Sequence, residues 1–141
     1  MILTVFGARV GRGAHVYPTV KITMPWNLTI GDHAAIGDGV KIYALGAVEI
    51  GDRSVVSQYA HLCAGSHDWR RSDMPLVKAG ITVGDDVWVC AEAFIGPSVS
   101  IGDKAIIGAR AVVTKDVDDN LIVAGNPARV IRHRSPTTGG Q

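Results

Sequence analysis

The chain has 141 residues, 47% of them hydrophobic, and a formal net charge of +1. That composition lies outside the low-hydrophobicity, high-charge range of disordered chains and fits one domain with a core of its own. So small a net charge leaves no electrostatic footprint for nucleic acid, and no stretch approaches the run of about eighteen apolar residues that crosses a membrane as a helix.

The opening stretch, MILTVFGARVGRG, lacks the basic start, long apolar run and small-residue cleavage site of a secretory signal, so a cytoplasmic protein is expected. Cys63 and Cys90 are then expected as free thiols, because two distant cysteines without a second pair match neither a zinc site nor a disulfide framework. From Val10 onward, aliphatic residues recur every six positions: Val10, Val16 and Ile22, then Ile30, Ile36, Ile42 and Val48, and after a shift of two, Ile50, Val56 and Leu62. From Val83 the phase is unbroken through Val89, Ile95, Ile101, Ile107 and Val113. Four residues after each of these six stands Val87, Ala93, Val99, Ala105, Ala111 or Val117.

A helix repeats at 3.6 residues and a simple strand at two, so a six-residue phase fits neither alone. It predicts an all-β parallel β-helix in which three hexads close one triangular coil, with the large aliphatic inside and the smaller residue where walls converge. Glycine after the aliphatic, as in IGD at Ile30, Ile50 and Ile101, is expected to serve corner conformations that a Cβ would penalise. Stacked coils pair their backbone with the coils above and below, which makes stability roughly additive along the stack. A glycine-rich β-sandwich would need turn signals every eight to twelve residues or so and would leave the six-residue phase unexplained. The predicted domain spans 1–132, with a loop extruded at about 68–82 and a polar tail over 133–141 that is expected to be disordered at its end.

Several stretches stand outside the rhythm: PWN at Pro25 to Asn27, LCAGSHDW, VGDDVWV, IGARAVVTKDV and VAGNPARVIR. Together with the hexads, these residues resemble the bacterial hexapeptide-repeat transferases, and within them the colanic acid biosynthesis O-acetyltransferase branch, close to the maltose and galactoside acetyltransferases. The resemblance runs from Phe6 to Arg132. It implies a left-handed helix, against the usual right-handed crossover preference. It also implies a homotrimer with active sites between neighbouring subunits, and O-acetylation of a sugar hydroxyl, for example on a polysaccharide precursor, at the expense of acetyl-coenzyme A.

O-acetylation requires a hydroxyl to lose its proton as it attacks a thioester, and an imidazole titrating near neutrality is the natural base. The resemblance assigns that role to His67, with backbone N–H groups near the loop stabilising the oxyanion. Asp68 could orient the imidazole, but adjacent residues in an extended chain point to opposite sides, so a backbone carbonyl is an equally good partner. The same prism also hosts a zinc carbonic anhydrase, and zinc needs three converging ligands. His61 and His67 lie one hexad apart, and His15, His33 and His133 belong to distant coils or the tail, so no metal is expected unless ligands meet across a subunit boundary.

For coenzyme A, the resemblance carries contacts onto Trp88, Ala91, Ala109, Thr114, Lys115, Arg129 and Arg132. The long pantetheine arm suits a groove between prisms, and the phosphates need cationic or N–H partners. Trp88 could equally be an apolar contact in a trimer interface, and each cation alone could be a solvated edge. Ala91 stands where related sugar acetyltransferases carry serine, and Ala44 offers no counterpart to the acceptor-side asparagine of the galactoside enzymes. Two other readings compete: an N-acetyltransferase on an amino sugar, and a non-catalytic β-helix that uses its walls for assembly.

Overall fold

The computed structural model describes residues 1–135; the end of the expected tail, 136–141, lies outside the described residues. Three stacks of short strands form the walls of a triangular prism. The first wall holds Arg9–Val10, Leu28–Ile30, Val48–Ile50, Ile81–Val83 and Ser100–Ile101. The second holds His15–Val16, Ala35–Ile36, Val55–Val56, Trp88–Val89, Ile106–Ile107 and Leu121–Ala124, with Arg129–His133 added antiparallel at its end. The third holds Lys21–Thr23, Lys41–Tyr43, His61–Cys63, Phe94–Ile95 and Val112–Val113. The chain is therefore a β-helix whose strands pair in parallel from coil to coil.

The hexad aliphatics fill the interior in register. Ile22, Ile42, Leu62, Ile95 and Val113 stack on the third wall, and Val16, Ile36, Val56, Val89, Ile107 and Val123 on the second. The residues four places on, including Ala93, Ala105 and Ala111, are buried as well. Ser54 occupies one of these small positions and is the one buried polar residue among those described. Its hydroxyl donates to the Gly84 carbonyl at 2.6 Å and accepts from the Val87 N–H at 3.0 Å, so it is satisfied by the next coil.

Coil length varies, and the variation is confined to one corner. Val10 pairs with Ile30 and Ile30 with Ile50, twenty residues on each time; Ile50 pairs with Val83, thirty-three on; Val83 pairs with Ile101, eighteen on. The additional residues all lie between the third wall and the first: Met24–Asn27, with a short 3-10 turn over Pro25–Asn27, then Ala44–Ala47, then Ala64–Gly80. The apparent two-residue phase shift is thus a strand with two inward residues, Val48 and Ile50, as also in Leu28–Ile30 and Ile81–Val83.

The longest addition leaves the prism as an antiparallel hairpin, Gly65–His67 against Leu76–Lys78. It starts at Gly65, ahead of His67, and Ile81 is already buried in the first wall, so the excursion sits slightly earlier than 68–82. The lower additions form its footing. The Asn27 Nδ2 donates to the carbonyls of Ala44 at 2.9 Å and Leu45 at 3.1 Å, and the Gly46 N–H donates to the Ala64 carbonyl at 2.8 Å. A Cβ on Gly65 would meet Leu45 Cδ1 at 2.7 Å, so glycine lets the hairpin root press onto the corner below.

The glycines of the IGD corners serve a different purpose from the one their position suggests. Gly31, Gly51 and Gly102 do not adopt left-handed backbone; that conformation falls two residues later, on His33, Arg53 and Lys104, with φ of 57°, 56° and 61°. What excludes a side chain is the coil above: a Cβ on Gly31, Gly51, Gly84 or Gly102 would collide with Oδ1 of Asp52, Asp85, Asp103 or Asp119. Those carboxylates form a ladder along the corner. Asp32 accepts from the Arg12 N–H at 2.7 Å, Asp52 from Asp32 at 2.8 Å, Asp85 from Asp52 at 2.7 Å, Asp103 from Asp85 at 2.8 Å, and Asp119 from Asp103 at 2.8 Å. Charge-assisted bonds of this kind are among the stronger ones in proteins.

The outward faces differ in character. On the first wall the paired outward residues are Thr29, Glu49, Thr82 and Ser100, all polar. The second presents Ala35, Val55, Trp88, Ile106 and Ile122, an apolar row. The third presents Lys21, Lys41, His61, Phe94 and Val112.

Candidate active site

His67 ends the outgoing strand of the hairpin and is exposed. Its Nδ1 lies 2.8 Å from the Met74 carbonyl oxygen. A carbonyl only accepts, so Nδ1 carries a proton, and in the neutral ring the lone pair is then on Nε2. The turn that delivers this carbonyl is built by its own contacts. The Asp68 N–H donates to Pro75 O at 2.9 Å, Arg71 N–H to Asp68 O at 3.2 Å, and Met74 N–H to Arg71 O at 3.0 Å. Met74 is left-handed at φ 42°, and Arg71 grips Asp73 with two bonds of 3.0 and 2.9 Å.

Of the two partners open to the imidazole, the backbone carbonyl is the one found. The Asp68 carboxylate accepts instead from the Arg70 N–H at 3.1 Å and stands 3.6 Å from its guanidinium. Nothing in the sequence marks the Met74 carbonyl, because a main-chain acceptor has no side-chain signature.

The residues assigned to the cofactor fall into two groups on the chain. Ala91 and Ala109 stack on the corner between the second and third walls, where the Arg110 N–H donates to Ala91 O at 2.9 Å. Trp88 precedes Ala91 on the second wall, 48% exposed, with its indole N–H donating to Ser57 Oγ at 2.9 Å. Ser57 was not singled out from the sequence; only its place one coil below marks it. Arg132 shares the row of Trp88, reached through Ile106 and Ile122. Thr114, Lys115 and Arg129 instead line a cleft at the C-terminal mouth of the prism, together with Leu121, Ala128 and Val130. The salt bridges among the described residues involve none of Lys115, Arg129 and Arg132.

His67 is not brought together with Trp88 and Ala91 in one chain. The hairpin leaves at the corner between the third and first walls, whereas Trp88 and Ala91 lie beyond the opposite edge of the third wall. Below the hairpin root, His61 packs edge-on against Phe94 with ring centroids 5.4 Å apart. Burial, and then the neighbouring Lys41 charge, push its pKa below the ordinary histidine value. Cys63 and Cys90 are free thiols, and burial raises the Cys90 pKa. Among the described residues no three His, Cys, Asp or Glu side chains cluster as metal ligands, and no helix is long and apolar enough to cross a membrane.

Comparison with known proteins gives concordant matches. Residues 80–115 match the family described as bacterial transferase hexapeptide (six repeats). Over 136 residues, 96% of this chain and 75% of the relative, the sequence is 43% identical to the Escherichia coli (strain K12) protein named "Putative colanic acid biosynthesis acetyltransferase WcaF". A hexapeptide-repeat acetyltransferase of Vibrio cholerae O1 biovar eltor, solved with acetyl-coenzyme A, matches with a TM-score of 0.90 at 27% identity, over 96% of this chain and 75% of that one. A galactoside acetyltransferase solved with coenzyme A matches with a TM-score of 0.88 at 31% identity, over 95% of this chain and 68% of that one.

Proposed function

The chain belongs to the hexapeptide-repeat acetyltransferases and is an acyltransferase, and from that premise we propose that it moves an acetyl group from acetyl-coenzyme A to a sugar hydroxyl, with His67 as general base. The observation that carries the proposal is the 2.8 Å contact between His67 Nδ1 and the Met74 carbonyl. It fixes the tautomer in which Nε2 can take a proton from an attacking hydroxyl. Acetyl-coenzyme A supplies the activated acyl group when bound. The residues present fit it: Lys115, Arg129 and Arg132 are cations without a carboxylate partner among the described residues, suited to phosphates, and the small Ala91 and Ala109 leave a smooth edge for a thin arm.

The separation of His67 from Trp88 and Ala91 supports a site shared between copies. In a cyclic trimer the hairpin of one chain would meet the corner of its neighbour that carries Ala91 and Ala109, and the apolar row around Trp88 would be covered. The relative with 43% identity supports a polysaccharide precursor as acceptor. Free thiols at Cys63 and Cys90 go with a cytoplasmic location. The test is acetyl transfer followed as coenzyme A thiol release from the purified protein, with and without sugar acceptors. Release that depends on a sugar hydroxyl and disappears in His67→Ala supports the reading; coenzyme A binding without any transfer returns the chain to a scaffold.

A further inference from the structure

The third wall carries a cleft that none of the roles above uses. It is lined by Lys21, Thr23, Lys41, Tyr43, His61 and Cys63. Register places these residues in two rows. Lys21 pairs directly with Lys41, and Lys41 with His61; beside them Thr23 pairs with Tyr43, and Tyr43 with Cys63. The second row ends at the root of the hairpin, since Cys63 Sγ contacts the Gly65 carbonyl at 3.4 Å and the strand from Gly65 ends in His67. The cleft therefore runs along the wall toward the base.

Its electrostatics are unbalanced. Adjacent strands stand about 4.8 Å apart, and like charges directly opposite one another on a sheet destabilise it. Lys21 and Lys41 are both exposed, occupy neighbouring rungs, and form no salt bridge among the described residues. On the neighbouring corners two exposed cations do have carboxylate partners across stacked coils, Arg53 with Asp86 and Arg110 with Glu92. Here the third rung, one coil above Lys41, is His61, whose charged form is disfavoured by burial and by Lys41, so it supplies no anion to offset the two ammonium groups. The Tyr43 ring, 37% exposed in the adjacent row, offers a flat apolar face of the kind on which a pyranose ring packs.

We infer that this cleft is the acceptor subsite and that it selects a sugar bearing an anionic group, which Lys21 and Lys41 hold while a hydroxyl is presented to His67. The inference rests on the transferase reading given above and adds the charge of its acceptor. The anion is either a carboxylate on the sugar ring, as in a uronic acid, or a phosphate ester on the glycan. Both suit two ammonium groups on adjacent rungs.

The experiment compares methyl glucoside, methyl glucuronide and glucose 1-phosphate as acceptors at saturating acetyl-coenzyme A and constant ionic strength. The wild-type protein and Lys21→Ala/Lys41→Ala are tested side by side. The expected result is a kcat/KM at least about tenfold higher for one of the anionic acceptors than for the neutral glycoside, with the preferred anion identifying the source. In the double variant that preference collapses to within about twofold through loss of kcat/KM for the anionic acceptor, while the KM for acetyl-coenzyme A is unaffected. Equal use of all three acceptors overturns the subsite but leaves the transferase reading standing. A preference that survives the double substitution, or loss of the oligomer in the variant on sedimentation, also overturns it. A protein that transfers nothing is still informative, because ligand-observed NMR reads binding of the glucuronide and the sugar phosphate directly. Binding lost in the double variant then supports the subsite without the transfer chemistry, and no binding to the wild type overturns it.

Discussion

The His67 imidazole is held by the Met74 carbonyl, 2.8 Å from Nδ1 across its own hairpin turn, and not by the carboxylate of the adjacent Asp68. The base is therefore oriented by main chain, and its position is only as good as the turn from Asp68 to Pro75.

Replacing His67 by alanine removes an exposed side chain that fills no part of the core. The melting temperature, the oligomer and coenzyme A binding should be retained, while kcat falls by roughly two to four orders of magnitude, the usual loss of a general base. Near wild-type turnover by His67→Ala in steady-state assays removes the base assignment.

Asp68→Asn distinguishes a carbonyl-held from a carboxylate-held histidine. Where an aspartate orients the imidazole, its amide analogue costs about four orders of magnitude. Because the Asp68 carboxylate caps the Arg70 N–H instead, this substitution should lower kcat by less than about tenfold. A loss as deep as that of His67→Ala would place Asp68 against the ring during turnover.

The collision between Gly84 and Asp103 predicts a coupled pair. Gly84→Ala should destabilise by about 2 kcal/mol through overpacking, and by less in an Asp103→Ala background, where the nearest obstruction is gone and only the main chain at Asp103, 2.9 Å away, remains. Urea denaturation of the four proteins in the cycle gives the coupling. Simple additivity would mean that the main chain at Asp103, rather than its carboxylate, excludes the side chain.

For the donor, Lys115→Ala, Arg129→Ala and Arg132→Ala should each raise the KM for acetyl-coenzyme A with a smaller effect on turnover at saturation. Added salt should weaken donor binding in the wild type, since exposed charge-assisted contacts are screened. An unchanged donor affinity in the triple variant makes these three cations an ordinary solvated edge.

A site shared between chains predicts complementation. At subsaturating acetyl-coenzyme A, His67→Ala and the Lys115→Ala/Arg129→Ala protein should each be weakly active alone. Subunits exchanged between them should regain activity, because some interfaces then combine an intact hairpin with an intact donor surface. Activity after exchange no greater than the sum of the separate samples argues against the shared site.

The interior was legible because a six-residue phase constrains every inward position: Val83, Val89 and Ile95 lie where the spacing puts them. What lay beyond reach was whatever depends on the neighbouring coil. The phase break between Val48 and Ile50 looked like a loop, yet it is one strand with two inward residues, because the addition sits at the preceding corner. Gly51 looked like a conformational glycine, yet the reason for it stands in the coil above, in the carbonyl of Gly84 and the carboxylate of Asp85. His67 was found through its motif, whereas its partner is a carbonyl that any residue at position 74 would supply. The hand of the helix came from resemblance alone, since a period is the same in either sense.

The aspartate ladder gives the prism a direction. Every rung points one way: the carboxylate of each coil closes an amide of the coil before it, from Arg12 through to Asp119 on Asp103. Loss of the lowest coil would merely free the Asp32 carboxylate into water, which solvates it well. Loss of the uppermost would strip Asp103 of its acceptor and leave a main-chain donor facing the exposed end of the stack. Shortening the two ends is therefore not equivalent: fraying should begin at the carboxy-terminal mouth, where the cleft of Thr114, Lys115 and Arg129 also lies, and a ligand seated there would act as the missing lid.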